Sequence, residues 1–146
     1  DLRALAPNLS IDRTPDGLRI QLVDQERSTM FPLGSAAPGD NLRRLFSTIS
    51  QVVARMPNRI SVTGHTDATP FQRTNYSNWE LSPDRANPSR RGLIDAGVPA
   101  GRISYVVGKA DQEPLFSENP NDPRNRRISI VLLRQNQGAD GQASAN

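Results

Sequence analysis

The sequence predicts an α+β fold: one mixed β-sheet of about four strands with helices packed on a single face. Three observations carry this. Segments with strand and helix character follow one another as β, α, β, α, β, and a long loop then leads to a last strand, an order that favours a sheet covered on one side. Apolar residues between 40 and 56 recur at spacings of three and four, the repeat of an amphipathic helix. Residues 127–133, "RISIVLL", form a continuous run rich in β-branched residues (Ile128, Ile130 and Val131), as expected of a central or well-covered strand.

Each element has its own signal. In "LSIDRTPDGLRIQLVD" two short runs flank Pro15-Asp16-Gly17, and Leu18, Ile20 and Leu22 alternate with polar residues, which predicts a hairpin and a strand near 18–24. After an irregular stretch, 27–39, Asp40 can cap a helix whose apolar positions are Leu42, Leu45, Phe46, Ile49, Val53 and Met56. Pro57-Asn58 ends it, and Ile60 and Val62 lead into a strand that stops at Gly64. "SPDRANPSRRGLIDAG" reads as a second helix, with Ser82 as cap, Pro83 in the first position, Asp84 in the first turn and Gly97 as the stop. "RISYVVG" gives a strand near 102–107, and the proline-rich residues 109–125 a long loop. The division expected is a lead-in and hairpin strand over 1–17, one domain over 18–134 and a disordered tail over 135–146.

At 146 residues, 35% hydrophobic and 23% charged, the chain fits one globular domain. It contains no run of the roughly 18 apolar residues that span a bilayer. The segment "DLRALAPNLS" lacks the basic start and apolar centre of a signal peptide, so the expectation is a cytoplasmic chain or the excised part of a larger one. Zero cysteines exclude disulfides and thiolate metal sites. Net charge is only +3, but Lys109 is the one lysine among 18 basic residues. Arginine forks suit carboxylate or phosphate, and biased genomic base composition would give the same count.

The chemistry concentrates after the strand that ends at Gly64: "SVTGHTDATPF" places the single histidine, a hydroxyl and a carboxylate in a row. His65 fits a hydrogen-bonded core residue better than a catalyst, since neither HExxH nor a GxSxG elbow is present and zinc hydrolases use three ligands. With Ser82 as cap, Arg85 falls at the third helical position, where the helix dipole disfavours a cation by about 0.3–1 kcal/mol. Asp84 beside it could offset that; alternatively Arg85 and the free first-turn amides receive an anion. Asp67 and Arg85 could form a structural salt bridge, or stand apart at the two ends of an amino-acid head group carrying ammonium and carboxylate. The basic pairs in "RRG" (90–92) and "NRR" (125–127) come without the aromatic and basic strand motifs of nucleic-acid binders, which argues against a nucleic-acid partner. Tyr76 and Trp79 flank Asn78; Trp79 fits a core anchor as well as a pocket wall.

Together "GHTD" (64–67), "NWELSPDRAN" (78–87), "AGVPAGRI" (96–103) and "NRRI" (125–128) resemble the OmpA-like peptidoglycan-binding domains, in order and spacing, across about residues 18–133. The lengthened "ATPFQRTN" (68–75), "YSNWELS" (76–82) and "LAPNLSIDRTPDGLRIQLVD" (5–24) are similar to the flagellar-stator branch of that family rather than to its outer-membrane porins or lipoproteins. The resemblance implies an OmpA-like sandwich that binds and does not turn over, with no cofactor and no metal. In it the aspartate of "GHTD", here Asp67, accepts hydrogen bonds from the ammonium of meso-diaminopimelate in the peptidoglycan stem peptide, and the arginine of "LSxxRA", here Arg85, pairs with that residue's carboxylate. Asn78 and Arg127 are weaker carry-overs, and His65 and Thr66 would support the strand end. It also implies a homodimer, a periplasmic location in an inner-membrane-anchored parent, and a stator channel subunit as the parent's partner.

Two residues depart from the family pattern, which has small helix formers where this chain has Pro83 and Pro88. Pro88, sixth in a helix capped by Ser82, would cost near 3 kcal/mol unless the helix starts later or kinks. Two other classes of function compete. An amidase or peptidase acting on the same wall would need a nucleophile or metal that the sequence does not supply. A protein-interaction or dimerisation module would leave the Asp67 and Arg85 motifs without a purpose.

Overall fold

The computed structural model describes residues 9–23, 40–69 and 75–134. The irregular stretch 27–39, most of the lengthened segment 68–75 and the tail 135–146 lie outside the described residues. The elements in chain order are β1 (Leu9–Thr14), β2 (Gly17–Val23), α1 (Asp40–Val53), β3 (Ile60–His65), α2 (Asn78–Asp95), β4 (Ile103–Gly108) and β5 (Arg127–Leu133), with single 3-10 turns at 100–102 and 123–125.

The sheet is mixed and has five strands in the order β1-β2-β5-β3-β4. The count exceeds the expected four because the run before Pro15-Asp16 is itself a full strand: Leu9 to Thr14 pair antiparallel with Leu22 to Gly17. The sheet therefore starts inside the predicted lead-in. Gly17 closes the hairpin with φ of +145°, and a side chain there would also run into the Leu132 carbonyl. The run rich in β-branched residues forms β5, which lies at the centre between β2 and β3, antiparallel to both. β3 and β4 are parallel and joined by α2, the crossover that parallel pairing requires.

Alternation separates the two faces of the sheet. Ile20, Leu22, Ile60, Val62, Ile128, Ile130 and Leu132 share one face and form the core with Leu42, Leu45, Phe46, Ile49 and Val53 of α1 and Ala86 and Leu93 of α2. The stripe predicted for α1 is thus buried, with Met56 packed at its edge. The opposite face, which carries neither α1 nor α2, presents Arg19, Gln21, Ser61, Thr63, His65, Arg127 and Ser129.

α2 corrects the sequence reading. It begins at Asn78, capped by Ser77, whose hydroxyl accepts from the Trp79 amide while Glu80 reaches back to the Ser77 amide at 2.6 Å, a capping box. Ser82 is inside the helix, and its hydroxyl instead accepts the Ala110 amide at 2.9 Å. Counting from Asn78, Pro83 is sixth, Arg85 eighth and Pro88 eleventh. Arg85 is therefore no misplaced cation in a first turn, since the dipole effect fades beyond that turn. Both prolines are interior, and the helix continues through them.

Small residues let α2 lie close on the sheet. Gly64 leaves room for the Ser82 carbonyl and the Ala86 methyl, and Gly108 for the Pro83 ring; a methyl at either glycine would overlap those atoms. This contact fixes the start of α2 over the ends of β3 and β4.

Candidate functional site

Three chain ends meet at one end of the sheet. β3 finishes at His65, β5 starts at Arg127 opposite it, and α2 begins alongside. The segment leaving β3 is tied down on both sides: the Thr66 amide donates to the Ala110 carbonyl at 2.8 Å and the Ala68 amide to the Pro120 carbonyl at 2.9 Å. The buried Thr66 hydroxyl donates to the Asp67 carbonyl at 2.8 Å.

Asp67 is 6% exposed, yet its carboxylate is not left bare. Oδ1 accepts the Thr69 amide at 3.0 Å, and Oδ2 accepts Arg126 Nη1 in an ion pair of 2.7 Å. Asn78, first residue of α2, donates from Nδ2 to the carbonyls of Asp67 and Thr69, both at 3.2 Å. The structure thus joins Asp67, Asn78 and Arg126. Arg85 is on the same helical stripe as Asn78 and Ser82, two turns in and 4% exposed.

Arg127 takes a different position. Its side chain is on the face opposite α1 and α2, buried, and its guanidinium donates to Gln21 Oε1 at 2.9 Å, the Asn125 carbonyl at 3.1 Å and the Glu113 carbonyl at 2.7 Å. Burial, with repulsion from Arg19, lowers its pKa to about 10, so it stays charged at neutral pH. It braces β2 and the 109–126 loop against β5. His65, its neighbour across the strands, is 6% exposed, and its Nδ1 has no hydrogen-bond partner among the described residues. Burial, reinforced by the Arg127 charge, pushes the imidazole down to about 3, so it is neutral.

Two residues escaped the sequence reading. Arg126 was hidden because adjacent residues of an extended chain point to opposite sides, and only the register of β5 tells which of the two arginines faces Asp67. Asn125 is fully buried: its Oδ1 accepts the Phe116 amide at 2.7 Å, and its Nδ2 donates to the carbonyls of Asn119 at 3.0 Å and Pro120 at 3.2 Å. It shapes the loop whose Pro120 carbonyl holds Ala68. Trp79 is no core anchor, being 55% exposed in the first turn of α2. Among the described residues no group of three or more acidic, histidine or cysteine side chains could hold a metal ion, and no helix is long and apolar enough to cross a membrane.

The model of the OmpA family matches residues 30–127. Motility protein B of Escherichia coli strain K12 is 46% identical over 136 residues, covering 92% of this chain. The chain spans only 44% of that relative's length. Among solved structures, the cell wall anchor of the T6SS from Pseudomonas aeruginosa superposes with a TM-score of 0.72 at 27% identity, covering 88% of this chain and 90% of that one. The periplasmic domain of Helicobacter pylori MotB superposes with a TM-score of 0.70 at 23% identity, covering 90% and 83%; this second likeness bears on the fold.

Proposed function

Because the chain belongs to the OmpA family, we propose that it binds peptidoglycan without chemical turnover, through the meso-diaminopimelate of the stem peptide, and anchors a flagellar stator unit to the cell wall. The observation that carries this reading is the Asp67 carboxylate, nearly buried at a strand end and already holding a cation, the Arg126 guanidinium. A carboxylate so placed accepts a ligand ammonium through charge-assisted hydrogen bonds, each contributing about 1.5–3 kcal/mol. Arg126 and Arg85 are the guanidinium groups proposed for the ligand carboxylate, and Asn78 and Thr66 hold the Asp67 backbone where the ligand needs it. Arg127 and His65 serve as supports behind the site.

The likeness to Motility protein B supports a parent that is anchored in the inner membrane, exposes this domain to the periplasm and partners the channel subunit MotA. It also supports a homodimer, in which two weak sites on one polymeric wall gain avidity. Light scattering at high concentration should return twice the chain mass, and a monomer mass would remove the dimer from this reading.

The binding test is sedimentation with insoluble diaminopimelate-type peptidoglycan. Asp67→Asn keeps the volume and removes the charge together with the Arg126 ion pair, so it should leave the chain in the supernatant while remaining folded with a lowered melting midpoint. An Asp67→Asn variant that folds and still pellets as the parent does would defeat the proposal.

A further inference from the structure

Trp79 is the only tryptophan of the chain, and it stands 55% exposed on a well-fixed piece of backbone. Its amide is tied to the Ser77 hydroxyl at 3.2 Å within the capping box, and Asn78 beside it pins the helix start to the 67–69 segment. Pro83, four residues on and therefore on the same helical face, lies against Gly108 at the end of β4. Side chains lean toward the helix N-terminus, so Trp79 stands one turn before Pro83 at the start of α2, in the same turn as Asn78, whose side chain holds the Asp67 and Thr69 carbonyls.

A large indole left half in water forgoes much of the burial that aromatic rings usually supply, and rigid exposed aromatics are a common feature of recognition surfaces. The chemistry that fits is a pyranose ring. Its face presents C–H groups of slight positive charge, which the electron-rich face of an indole attracts, and the contact buries apolar area on both sides. A stem peptide held at Asp67 is covalently attached to such rings.

We propose that Trp79 forms a second subsite for the same ligand, one that stacks on an N-acetylated sugar of the glycan strand while the Asp67 end holds diaminopimelate. This rests on the diaminopimelate reading of the site. It assigns the two ends of one ligand to two chemistries: charge at the strand end, and apolar stacking at the helix start.

The test compares two soluble probes, the tripeptide L-alanyl-D-glutamyl-meso-diaminopimelate and the same tripeptide on N-acetylglucosaminyl-N-acetylmuramic acid, with Trp79 as the intrinsic fluorophore. The sugar-bearing probe should bind roughly three- to tenfold tighter than the bare tripeptide, the range that an aromatic contact supplies, and should shift the tryptophan emission to the blue. Trp79→Ala should erase the advantage, as measured by calorimetry, while leaving tripeptide affinity unchanged; Trp79→Phe should keep most of it. Equal affinity of the parent for both probes would overturn the subsite and leave the diaminopimelate site standing. Failure of both probes to bind the folded parent would remove the diaminopimelate site and the subsite together.

Discussion

His65 is a base whose pKa falls to about 3 on folding, chiefly through burial, against 6.5 in an open chain. Because the unfolded state takes up the proton first, stability is complete above pH 6.5 and is lost as pH falls toward 3. Between pH 6.5 and 5 the loss should be about 2 kcal/mol, before the carboxylates contribute, since the Asp122 carboxyl is held down to about 2 chiefly by its hydrogen bond from Arg124. Denaturant melts of the parent and of His65→Gln across this window check it: the parent's midpoint should drop while the variant's stays level. The two adjacent arginines should part in the same way. Arg127→Ala removes three hydrogen bonds, two of them buried, and should cost about 2–4 kcal/mol, whereas Arg126→Ala, which leaves the nearly buried Asp67 carboxylate without its Arg126 ion pair, should lower the midpoint and also weaken sedimentation with peptidoglycan, an effect Arg127→Lys should not share. Of this site, Asp67 was legible from the residues, because a glycine and a carboxylate at a strand end are a local pattern, whereas Asn78 was reached only through the family resemblance. Arg126 was not legible, because choosing between neighbours requires the pairing of β5 with β3.

Ser82-Pro83-Asp84 has the grammar of a helix start and reads as the start of α2; the structure starts it at Ser77-x-x-Glu80, a capping box that the sequence reading missed. Counting prolines as breakers favours the later start; packing overrides it, since Gly64 and Gly108 let the Ser82–Pro83 turn lie directly on the strands. Pro88 then interrupts a helix that runs from Asn78 to Asp95 and deprives the Asp84 carbonyl of its amide partner. Pro88→Ala should raise stability by up to about 3 kcal/mol, read as a higher melting midpoint. Arg85, eighth in that helix and buried, changes in the opposite sense: its replacement by alanine should lower the midpoint as well as binding, so only Arg85→Lys, which keeps the stem and the charge, tests its contact with ligand.

At the scale of the molecule, the class of fold and most element positions could be read from periodicity, and β5 matched to the residue; the strand order could not, because pairing between distant segments leaves no local trace. That order decides how the sheet bears load. Leu9 pairs with Leu22 and Val23 with Arg127, so the chain enters β1 at the same end of the sheet that carries Asp67. A pull between the segment before Leu9 and a ligand held at Asp67 therefore opens the β1–β2 hairpin from its free end, one pair after another, and resistance is low. Once β1 is free, the force arrives at Gly17, the far end of β2, and the seven β2–β5 pairs are strained together along the strand axis. The domain is a spring with two stiffnesses, a soft first extension of about 20 Å for six released residues and then a stiff body. Single-molecule pulling through an N-terminal handle, against ligand immobilised on the probe, should record a short low-force step before the main rupture; moving the handle to Arg134, at the end of β5, should abolish that step.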